Sequence, residues 1–577
     1  MDAYHKMAPA RRGPRAFARL MTVSFAQPVP LLALRKQCSR LALLAALLSL
    51  VCLASPGALV ADDLLACAPA ELAAPVSGSL VICGGGKLPE PVLNRFVELA
   101  GGKDARIVVI PTASGIVDTP EGMEKKIEFW RQAKVAALSI VHTRSREEAD
   151  NPSFSKPLTS ATGVWFTGGF QWRLADTYVN TVVEKMVRAV LDRGGVVGGT
   201  SSGAAVMSPV MIRRYMPDEP KAEVGRGFGL LPGTVIDQHF IKRNRQDRLI
   251  DVLDTHPGFV GLGIDEGTAL VAQGRRLSVL GDSNVVTCLA ASPDRPLKLQ
   301  VLKSGDEVDL VELSRAAIAR AKPRKDKSLV TTPSVPHGTL VIVGGGGTPP
   351  EAVKRFIAAA GGPEAPLVVV STAQGDTIPS AASVTGFLTK AGAKHVRQLH
   401  ARNPQEATTP ENLALLREAK GVWFGGGRQW RLVDAYQDTE AEKLFHEVLE
   451  RGGVIGGSSA GATIQASYLC RGSPLGNTEM MAEGYERGFG FLRGVAIDQH
   501  FSQRKRFADM EQLKKAHPNL IGLGIDESTA LIVRGSKAEV IGAHQVAVYD
   551  RRNPKSDTLC DHTVLKPGDT YDFKNAK

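Results

Sequence analysis

The most constraining feature of this sequence is an internal duplication, because its landmarks recur at a nearly constant distance. The recurring segments are 80–86 with 340–346, 163–174 with 421–432, 199–203 with 457–461, 236–240 with 497–501 and 263–266 with 524–527. The offset is 260 residues for the first of these segments, 258 residues for the next two and 261 residues for the last two. A repeat of this length is a whole domain rather than a solenoid unit, and 577 residues exceed one hydrophobic core. We therefore predict two copies of one domain, at 75–315 and 335–575, joined by a charged, proline-containing linker at 316–334.

Each copy has the sequence pattern of an α/β domain. Short runs of Val, Ile and Leu that end in glycine alternate with amphipathic stretches such as 184–191 and 441–449. Strands that are apolar throughout are buried on both faces, which is typical of parallel sheets covered by helices. We predict two tandem three-layer sandwiches with a largely parallel sheet, and we expect functional residues at the carboxyl ends of the strands.

A Gly-x-Ser-x-Gly turn follows an apolar strand in each copy, at 199–203 and 457–461. In such a turn the glycines allow a sharp bend that holds the central serine in a strained, exposed conformation. Ser201 and Ser459 are therefore candidate nucleophiles. The candidate donors to a developing oxyanion are the backbone N–H groups of Ser202, Ala460, Gly169 and Gly427.

A serine nucleophile needs a base, and few histidines occupy equivalent positions in both copies. His239 and His500 follow strand-like apolar runs, which suits a catalytic base. His256 and His517 precede prolines at the ends of predicted helices, and we interpret them as structural residues that cap helix carbonyls.

A carboxylate follows each candidate base by 27 residues, Glu266 in the first copy and Glu527 in the second. The predicted triads are therefore Ser-His-Glu, in a chain order that differs from that of the usual α/β-hydrolases. Asp265 and Asp526 adjoin the two glutamates, so the identity of the acid stays open at this point.

The N-terminal segment carries most of the excess positive charge. Residues 1–61 contain eight lysines and arginines and one acid, so they contribute +7 of the formal net charge of +11. The remaining chain is only mildly basic, which argues against nucleic-acid binding. Basic residues before the apolar run 41–53 predict a signal peptide within 1–61 and an exported protein, with a membrane anchor as the alternative if it is not cleaved.

The cysteines outside this segment do not form a metal-binding pattern. They are Cys67, Cys83, Cys288, Cys470 and Cys560. They lie far apart, without the spacing of metal ligands, so we interpret them as mostly buried thiols and predict no metal site.

Taken together, the Gly-Gly-x-Gln turn, the Gly-x-Ser-x-Gly-Ala elbow, Asp-Gln-His-Phe with its following arginines and Gly-Ile-Asp-Glu resemble the cyanophycinases, a group of serine peptidases related to the aspartyl dipeptidases. The resemblance implies hydrolysis of cyanophycin, a poly-aspartate that bears arginine on its β-carboxyls, to β-Asp-Arg dipeptides without a metal or cofactor. It implies that the serines attack, the histidines act as bases and the glutamates orient them. The residues implied to line the substrate pocket are Gln171, Asp237, Arg243, Arg245, Arg248, Gln429, Asp498, Arg504 and Arg506. Because members of the family often form dimers, the two repeats are expected to pack as a pseudo-dimer with like surfaces facing each other.

Three positions depart from the family pattern. Phe170 and Arg428 occupy the place of an aspartate in the Gly-Gly-Asp-Gln turn, and Asp509 occupies the place of the third arginine after the histidine in the second copy. These departures leave two alternatives open. One is a peptidase for another isoaspartyl or acidic peptide, and the other is a binding protein with vestigial sites.

Overall fold

A computed structural model of the chain describes residues 72–214, 222–322, 332–552 and 561–576. The predicted signal peptide, Cys67 and Cys560 lie outside the described residues. Within these ranges no helix has the length and apolar character needed to cross a membrane. Cys83, Cys288 and Cys470 are buried free thiols, as predicted.

The first repeat alternates strands and helices as the sequence pattern predicts. Its strands are β1 (Val76–Cys83), β2 (Arg106–Ile110), β3 (Ala137–Ile140), β4 (Gly163–Phe166), β5 (Val196–Thr200), β6 (Val210–Arg214), β7 (Glu223–Arg226), β8 (Thr234–Gln238), β9 (Val260–Ile264), β10 (Thr268–Gly274), β11 (Arg276–Gly281), β12 (Val285–Leu289), β13 (Lys298–Leu302) and β14 (Glu307–Asp309). Its α-helices are α1 (Glu90–Leu99), α2 (Pro120–Gln132), α3 (Arg146–Ala149), α4 (Gln171–Tyr178), α5 (Val182–Asp192), α6 (Ser202–Ala205), α7 (Gln246–Thr255) and α8 (Leu310–Ala321). Short 3₁₀ helices occupy Gly102–Asp104 and Lys156–Thr159.

The second repeat has a similar order of strands and helices, but its described residues contain no strand that corresponds to β7. Its strands are β15 (Val335–Val343), β16 (Pro366–Val370), β17 (His395–Leu399), β18 (Gly421–Phe424), β19 (Val454–Ser458), β20 (Ala466–Leu469), β21 (Leu492–Gln499), β22 (Ile521–Ile525), β23 (Thr529–Gly535), β24 (Lys537–Gly542), β25 (Val546–Tyr549), β26 (Thr563–Leu565) and β27 (Thr570–Asp572). Its α-helices are α9 (Pro350–Ala359), α10 (Ala381–Lys390), α11 (Pro404–Ala407), α12 (Pro410–Glu418), α13 (Gln429–Tyr436), α14 (Glu440–Glu450), α15 (Ala460–Thr463) and α16 (Phe507–Ala516), and a 3₁₀ helix occupies Thr372–Gln374.

Each repeat contains a large central sheet and a smaller second sheet within the described ranges. The strand order of the large sheet is β14-β11-β10-β1-β5-β4-β2-β3 in the first repeat and β27-β24-β23-β15-β19-β18-β16-β17 in the second. In the first repeat the run from β1 to β3 is parallel, and β10, β11 and β14 add antiparallel strands to one side. The α/β class and the parallel core are therefore confirmed, whereas the second sheet was not predicted.

The second sheet is important because it carries the base and the acid of the candidate site. Its order is β13-β12-β9-β8-β6-β7 in the first repeat and β26-β25-β22-β21-β20 in the second. His239 follows β8 and Glu266 comes shortly after β9, two parallel neighbours, while Ser201 follows β5 of the large sheet. Each candidate site therefore forms where strand ends from two sheets meet.

Burial on both faces explains why the strands of the large sheet lack polar alternation. In β1, Leu80 and Ile82 pack into one core cluster, and Val81 and Cys83 pack into another. Helices α1 and α2 contribute Phe96, Ile127 and Trp130 to the second of these clusters. A strand that faces two apolar layers must be apolar at every position, which accounts for the uninterrupted Val/Ile/Leu runs.

The boundary between the repeats differs from the predicted linker. Helix α8 continues to Ala321, past the predicted linker start at residue 316, and Asp309 caps its N-terminus by accepting a hydrogen bond from the Glu312 N–H. The middle of the predicted linker, 323–331, lies outside the described residues. The first repeat therefore extends several residues further than expected.

The described contacts between the repeats join unlike surfaces. Arg275 and Arg315 of the first repeat bind Asp434 of the second at 2.7 and 2.9 Å, and Arg320 binds Glu483 at 2.5 Å. Ser536 occupies the position in the second repeat that corresponds to Arg275. The expectation that like surfaces face each other across a pseudo-twofold axis is therefore wrong for these contacts, which are heterologous.

Candidate active site

The turn that holds each candidate serine has the strained backbone that the sequence predicts. Ser201 has φ 56° and ψ −115°, and Ser459 has φ 56° and ψ −112°. The Ser201 N–H donates to the Cys83 carbonyl at 2.9 Å, and the Ser459 N–H donates to the Val343 carbonyl at 3.0 Å. These bonds to the first strand of each repeat stabilise a conformation that non-glycine residues rarely adopt.

The structure brings the predicted serine, histidine and glutamate together in both repeats. Ser201 Oγ lies 2.8 Å from His239 Nε2, and His239 Nδ1 lies 2.6 Å from Glu266 Oε1. The corresponding distances in the second repeat, for Ser459, His500 and Glu527, are 3.0 and 2.6 Å. This is the geometry in which an imidazole can accept a hydroxyl proton while a carboxylate orients the ring.

The glutamate, and not the adjacent aspartate, contacts the histidine. Asp265 Oδ1 accepts a hydrogen bond from the Lys242 N–H at 2.9 Å, and Asp265 Oδ2 accepts one from Ser283 Oγ at 2.8 Å. Asp526 likewise accepts from the Ser502 N–H at 2.8 Å. Each aspartate therefore holds the loop that follows the histidine, and its glutamate neighbour is the acid at the ring.

Burial is the largest influence on the pKa of His239 and of His500, and it lowers both below the ordinary value of 6.5. The contact with Glu266 or Glu527 acts in the opposite direction but does not compensate for the loss of hydration. Both imidazoles are therefore neutral at neutral pH, which is the form that can accept a proton.

A glycine loop after the first strand of each repeat packs against the histidine, a role that the sequence analysis did not predict. A Cβ at Gly85 would lie 2.3 Å from His239 Cε1, and a Cβ at Gly345 would lie 2.3 Å from His500 Cε1. Their φ angles are +110° and +102°. The run of three glycines at 84–86 and 344–346 is the signal that could have identified this role, because it recurs in both copies directly after a strand.

The Gly-Gly-x-Gln turn lies beside the serine. A Cβ at Gly168 would approach Ser201 Cβ to 3.3 Å, and Ser202 Oγ donates to the Gly169 carbonyl at 2.6 Å. Helices α6 and α15 begin directly after the serines, so the N–H groups of Ser202 and Ala460 have no acceptor within their own helices. The role of these groups and of Gly169 and Gly427 as oxyanion donors remains a prediction.

Comparison with known protein families matches both repeats to peptidase family S51, over residues 80–280 and 339–541. The chain belongs to peptidase family S51.

Curated relatives of this S51 protein include cyanophycinases from three organisms. The cyanophycinase of Nostoc sp. is 35% identical over 188 residues, which cover 31% of this chain and 62% of the relative. That of Geminocystis herdmanii is 32% identical over 188 residues, covering 32% and 68%. That of Thermosynechococcus vestitus is 35% identical over 189 residues, covering 32% and 58%. Each alignment spans roughly the length of one S51 repeat. The chain covers less than two thirds of the length of the Nostoc relative.

Two solved structures are also similar to part of the chain. A peptidase from an acI-B1 actinobacterium is 25% identical, with a TM-score of 0.32, and the match covers 42% of this chain and 98% of that protein. A putative peptidase E protein from Listeria monocytogenes EGD-e is 17% identical, with a TM-score of 0.28, covering 36% and 99%.

The buried aspartates of the S51 repeats are paired with arginines in the interior, contrary to the pocket role that the resemblance implied. Asp237 is fully buried, and Arg248 and Arg245 of the same repeat contact its carboxylate. The Arg248 Nε donates to Asp237 Oδ2 at 2.7 Å. A carboxylate already paired in the interior is not available to a substrate guanidinium, so the pocket roles predicted for Asp237 and Arg248 are wrong.

In the second S51 repeat the corresponding aspartate is also paired in the interior, but with a different arginine. Asp498 is fully buried, and Arg471 binds it with Nε and Nη2, each at 2.9 Å, while Arg506 Nη1 binds it at 2.8 Å. Arg471 also binds Asp509, which stands where the first repeat has Arg248, at 2.6 Å. The missing arginine is therefore replaced by one from another segment, and Asp498 and Arg506 are interior residues.

Arg245 and Arg506 also have a positioning contact in common. Each donates through Nη1, at 2.7 Å, to the carbonyl of the glutamine that precedes the site histidine. Among the predicted pocket arginines, Arg243 and Arg504 are exposed, and their guanidinium groups make no hydrogen bond or ion pair with the described part of the chain. These two side chains remain available to bind an anionic group.

The glutamines of the Gly-Gly-x-Gln turns bind backbone groups. Gln171 Nε2 donates to the Ile212 carbonyl at 2.8 Å, and Gln171 Oε1 accepts from Ser202 Oγ at 3.0 Å. Gln429 is only 2% exposed, and its Nε2 donates to the carbonyls of Cys470 and Arg471 at 2.8 and 2.6 Å. The predicted direct contact of Gln429 with substrate is therefore wrong, because its amide is buried against a neighbouring segment.

The predicted structural role of His256 is confirmed. It lies at the C-terminal cap of α7, where its Nδ1 is 3.1 Å from the Val252 carbonyl. The same carbonyl also accepts the His256 backbone N–H at 2.9 Å, so His256 contacts the last helical turn through both its ring and its backbone. His517 occupies the same cap position after α16 in the second repeat.

Proposed function

We propose that this protein is a serine exopeptidase that hydrolyses cyanophycin to β-Asp-Arg dipeptides at two sites, one in each repeat. The observation that carries the proposal is the chain of contacts from serine Oγ through histidine to glutamate, which occurs twice with nearly equal distances. Membership of peptidase family S51 supports the peptidase activity, and the cyanophycinases among the relatives support cyanophycin as the substrate.

In the proposed reaction, Ser201 Oγ attacks the scissile carbonyl while His239 Nε2 accepts the hydroxyl proton. The Glu266 carboxylate accepts the Nδ1 hydrogen bond and stabilises the imidazolium that forms. His239 then gives the proton to the leaving amine, and an acyl-enzyme remains. A water molecule, deprotonated by the same histidine, attacks the acyl group and releases the serine. Ser459, His500 and Glu527 would perform the same steps in the second repeat.

The tetrahedral intermediate carries a negative charge that needs donors close to the serine. We propose the backbone N–H groups of Ser202 and Gly169 in the first repeat, and those of Ala460 and Gly427 in the second. In each repeat one donor follows the serine at a helix start, and the other belongs to the glycine turn beside it. The contribution of one such donor is typically about 3 kcal/mol of transition-state stabilisation.

One observation favours a second candidate, a peptidase for another isoaspartyl or acidic peptide. The carboxylates expected to receive a substrate guanidinium, Asp237 and Asp498, are paired with arginines in the interior. Arg243 and Arg504 are exposed near the two histidines. Burial is the largest cause of the lowered pKa of each histidine, and the charge of the nearby arginine lowers that pKa further. An exposed guanidinium beside the site suits a substrate carboxylate.

The test is clearing of an insoluble cyanophycin suspension by the full chain, with products identified by mass spectrometry. Wild type would be compared with Ser201→Ala, Ser459→Ala and the double variant, with the exposed Ser160→Ala as a matched control. We expect clearing and β-Asp-Arg release that survive each single site substitution and disappear in the double variant. If a folded wild type leaves cyanophycin intact but cleaves isoaspartyl peptides rich in acidic residues, the second candidate replaces the first. If it cleaves neither, both are rejected.

We further propose that the chain is exported. The support is the basic segment followed by the apolar run 41–53. Cell fractionation with N-terminal sequencing of the recovered protein tests this proposal: a shortened N-terminus outside the cytoplasm is expected, and an intact N-terminus in the cytoplasm would contradict it.

A further inference from the structure

The second candidate site is in contact with a segment that the first repeat holds in place. This segment, 471–487, leaves β20 and returns to β21. On its inner side, Arg428 Nη2 donates to the carbonyls of Ser473 and Gly476, both at 2.6 Å. Gln429 Nε2 donates to the Arg471 carbonyl at 2.6 Å. Consecutive residues of the turn beside Ser459 are therefore bonded to the start of the segment.

The outer side of the same segment binds the first repeat. Glu483 receives Arg320 Nε at 2.5 Å, Arg295 Nη1 at 2.8 Å and Lys298 Nζ at 3.3 Å. Ser473 Oγ donates to Glu312 at 3.1 Å. Burial alone would raise the pKa of Glu483, but the hydrogen bonds from Arg320 and Arg295 outweigh it and lower that pKa to about 2. Glu483 is therefore an ionised carboxylate surrounded by cations of the other repeat.

The first repeat also contacts the helix that begins at the turn of the second site. Arg275 lies 4.4 Å from the Trp430 ring and 2.7 Å from Asp434, and Arg315 binds Asp434 at 2.9 Å. Trp430 and Asp434 lie in α13, which starts at Gln429. The turn is therefore held from two directions, through α13 and through the segment 471–487.

The first site has no comparable support from the second repeat among the described contacts. Phe170, at the position of Arg428, is 52% exposed, and Trp172, at the position of Trp430, is 42% exposed. Asp176, which corresponds to Asp434, pairs with Arg213 of its own repeat at 3.0 Å. The dependence is therefore one-directional, from the second site on the first repeat.

We propose that Arg275, Arg295, Arg315 and Arg320 of the first repeat are positioning residues for the second active site, which is thereby a composite of both repeats. This inference rests on the proposed function of Ser459 as a nucleophile. The link to chemistry is short, because a Cβ at Gly426 would lie 3.5 Å from Ser459 Cβ and Gly427 is the next residue. A shift of this turn moves the proposed oxyanion donor relative to the serine, and misplacement by about 1 Å can cost about a hundredfold in rate.

Two substitutions break the contacts from opposite sides. Glu483→Ala removes a carboxylate whose ion-pair partners among the described residues all belong to the first repeat. Arg315→Ala removes a guanidinium whose ion-pair, hydrogen-bond and ring contacts among the described residues all belong to the second repeat. Glu483→Gln is the conservative variant, because its amide oxygen still accepts from Arg320. Glu539→Ala is the matched control, since Glu539 pairs with Arg355 within the second repeat.

The measurement is the rate and final extent of modification by a serine-reactive fluorophosphonate, followed separately at Ser201 and Ser459 by peptide mass spectrometry of the full chain. We expect Glu483→Ala and Arg315→Ala to slow modification of Ser459 about tenfold, with full final extent and an unchanged rate at Ser201. Glu483→Gln should restore most of the rate, and Glu539→Ala should change neither site. A parallel loss of kcat/KM on cyanophycin is expected in the Ser201→Ala background but not in the Ser459→Ala background.

The outcomes separate the inference from the proposed function. No modification of either serine in wild type rejects the proposed function and the inference with it. Wild-type modification that Glu483→Ala and Arg315→Ala leave unchanged rejects only the inference. A reduced extent at an unchanged rate constant also rejects it, because this indicates an unfolded fraction rather than a displaced turn.

Discussion

At each site the histidine lies between a serine hydroxyl and a glutamate carboxylate, in a position buried by the glycine loop that follows the first strand. The residue-scale balance is between lost hydration, which disfavours the imidazolium, and the carboxylate, which favours it. Lost hydration is the larger effect for His239 and His500, and Arg243 and Arg504 add to it by repelling the proton. The result is an imidazole that is neutral at neutral pH, which is the form that the proposed role as a base requires.

This balance predicts the pH dependence of the reaction. Activity requires the unprotonated histidine, so the acid limb of kcat/KM follows its pKa and should lie below 6.5 at both sites. The profile of each site is measured in the variant that lacks the other serine. Arg243→Gln should move the acid limb of the first site to higher pH and leave that of the second site unchanged. Arg504→Gln should move the acid limb of the second site to higher pH and leave that of the first site unchanged. A limb well above 6.5 would contradict the dominance of burial.

At the scale of elements, each histidine strand is fixed by a buried aspartate and two arginines that come from different places. In the first repeat Arg248, on α7, binds Asp237 at the end of β8. In the second repeat Arg471, from the segment after β20, binds Asp498. An ionised aspartate without water must be paired, so a substitution at one element was compensated from another.

The loop after β1 gives a prediction at this scale. Gly85→Ala combines a clash with the His239 ring and an unfavourable φ of +110°, so it should reduce modification of Ser201 at least about a hundredfold and leave Ser459 unaffected. Gly101→Ala is the matched control, because its φ is +108° and its nearest atom is 3.8 Å away. Fluorophosphonate labelling of both serines reads the effect. Equal loss in the two variants would assign it to backbone strain rather than to the histidine.

At the scale of the whole molecule, the two repeats are joined by an interface rich in charge. Burial, together with the nearby Glu479 and Asp309, raises the pKa of Glu312 to about 7. On the other side of the same interface, arginines hold the pKa of Glu483 at about 2. The two carboxylates therefore make the interface respond to pH in opposite directions.

The sign for Glu312 follows from proton linkage. Between its ordinary pKa of 4.5 and its folded pKa of about 7, the unfolded chain releases a proton that the folded chain retains, so the free energy of unfolding falls as pH rises. Glu312→Gln removes this cost and should raise the free energy of unfolding by up to about 3 kcal/mol at about pH 8, with little effect near about pH 4. Urea unfolding at the two pH values checks this, with the exposed Glu307→Gln as control. An equal effect at both pH values would contradict the assignment.

The sequence by itself determined the duplication and the α/β class, and it predicted which serines and histidines the fold brings into contact. A nearly constant offset between equivalent segments identifies two copies of a whole domain, and residues that directly follow buried parallel strands meet at sheet edges. The strands that precede Ser201 and His239 were recognisable from short apolar runs, Val196–Val197 and Val235–Ile236, whose side chains are fully buried. These are local properties of the chain, and local properties can be read from residue order.

Only the tertiary structure decided which polar groups contact the site histidines and which are buried and paired in the interior. It selected Glu266 over Asp265, placed Asp237 among arginines and joined the repeats through unlike surfaces. The physical reason is that a buried charged or polar side chain needs a hydrogen-bond or ion-pair partner. Packing of the fold supplies that partner, which is often distant in sequence. Arg471 is the clearest case, since nothing in residue order connects it to Asp498 until two segments of the fold meet.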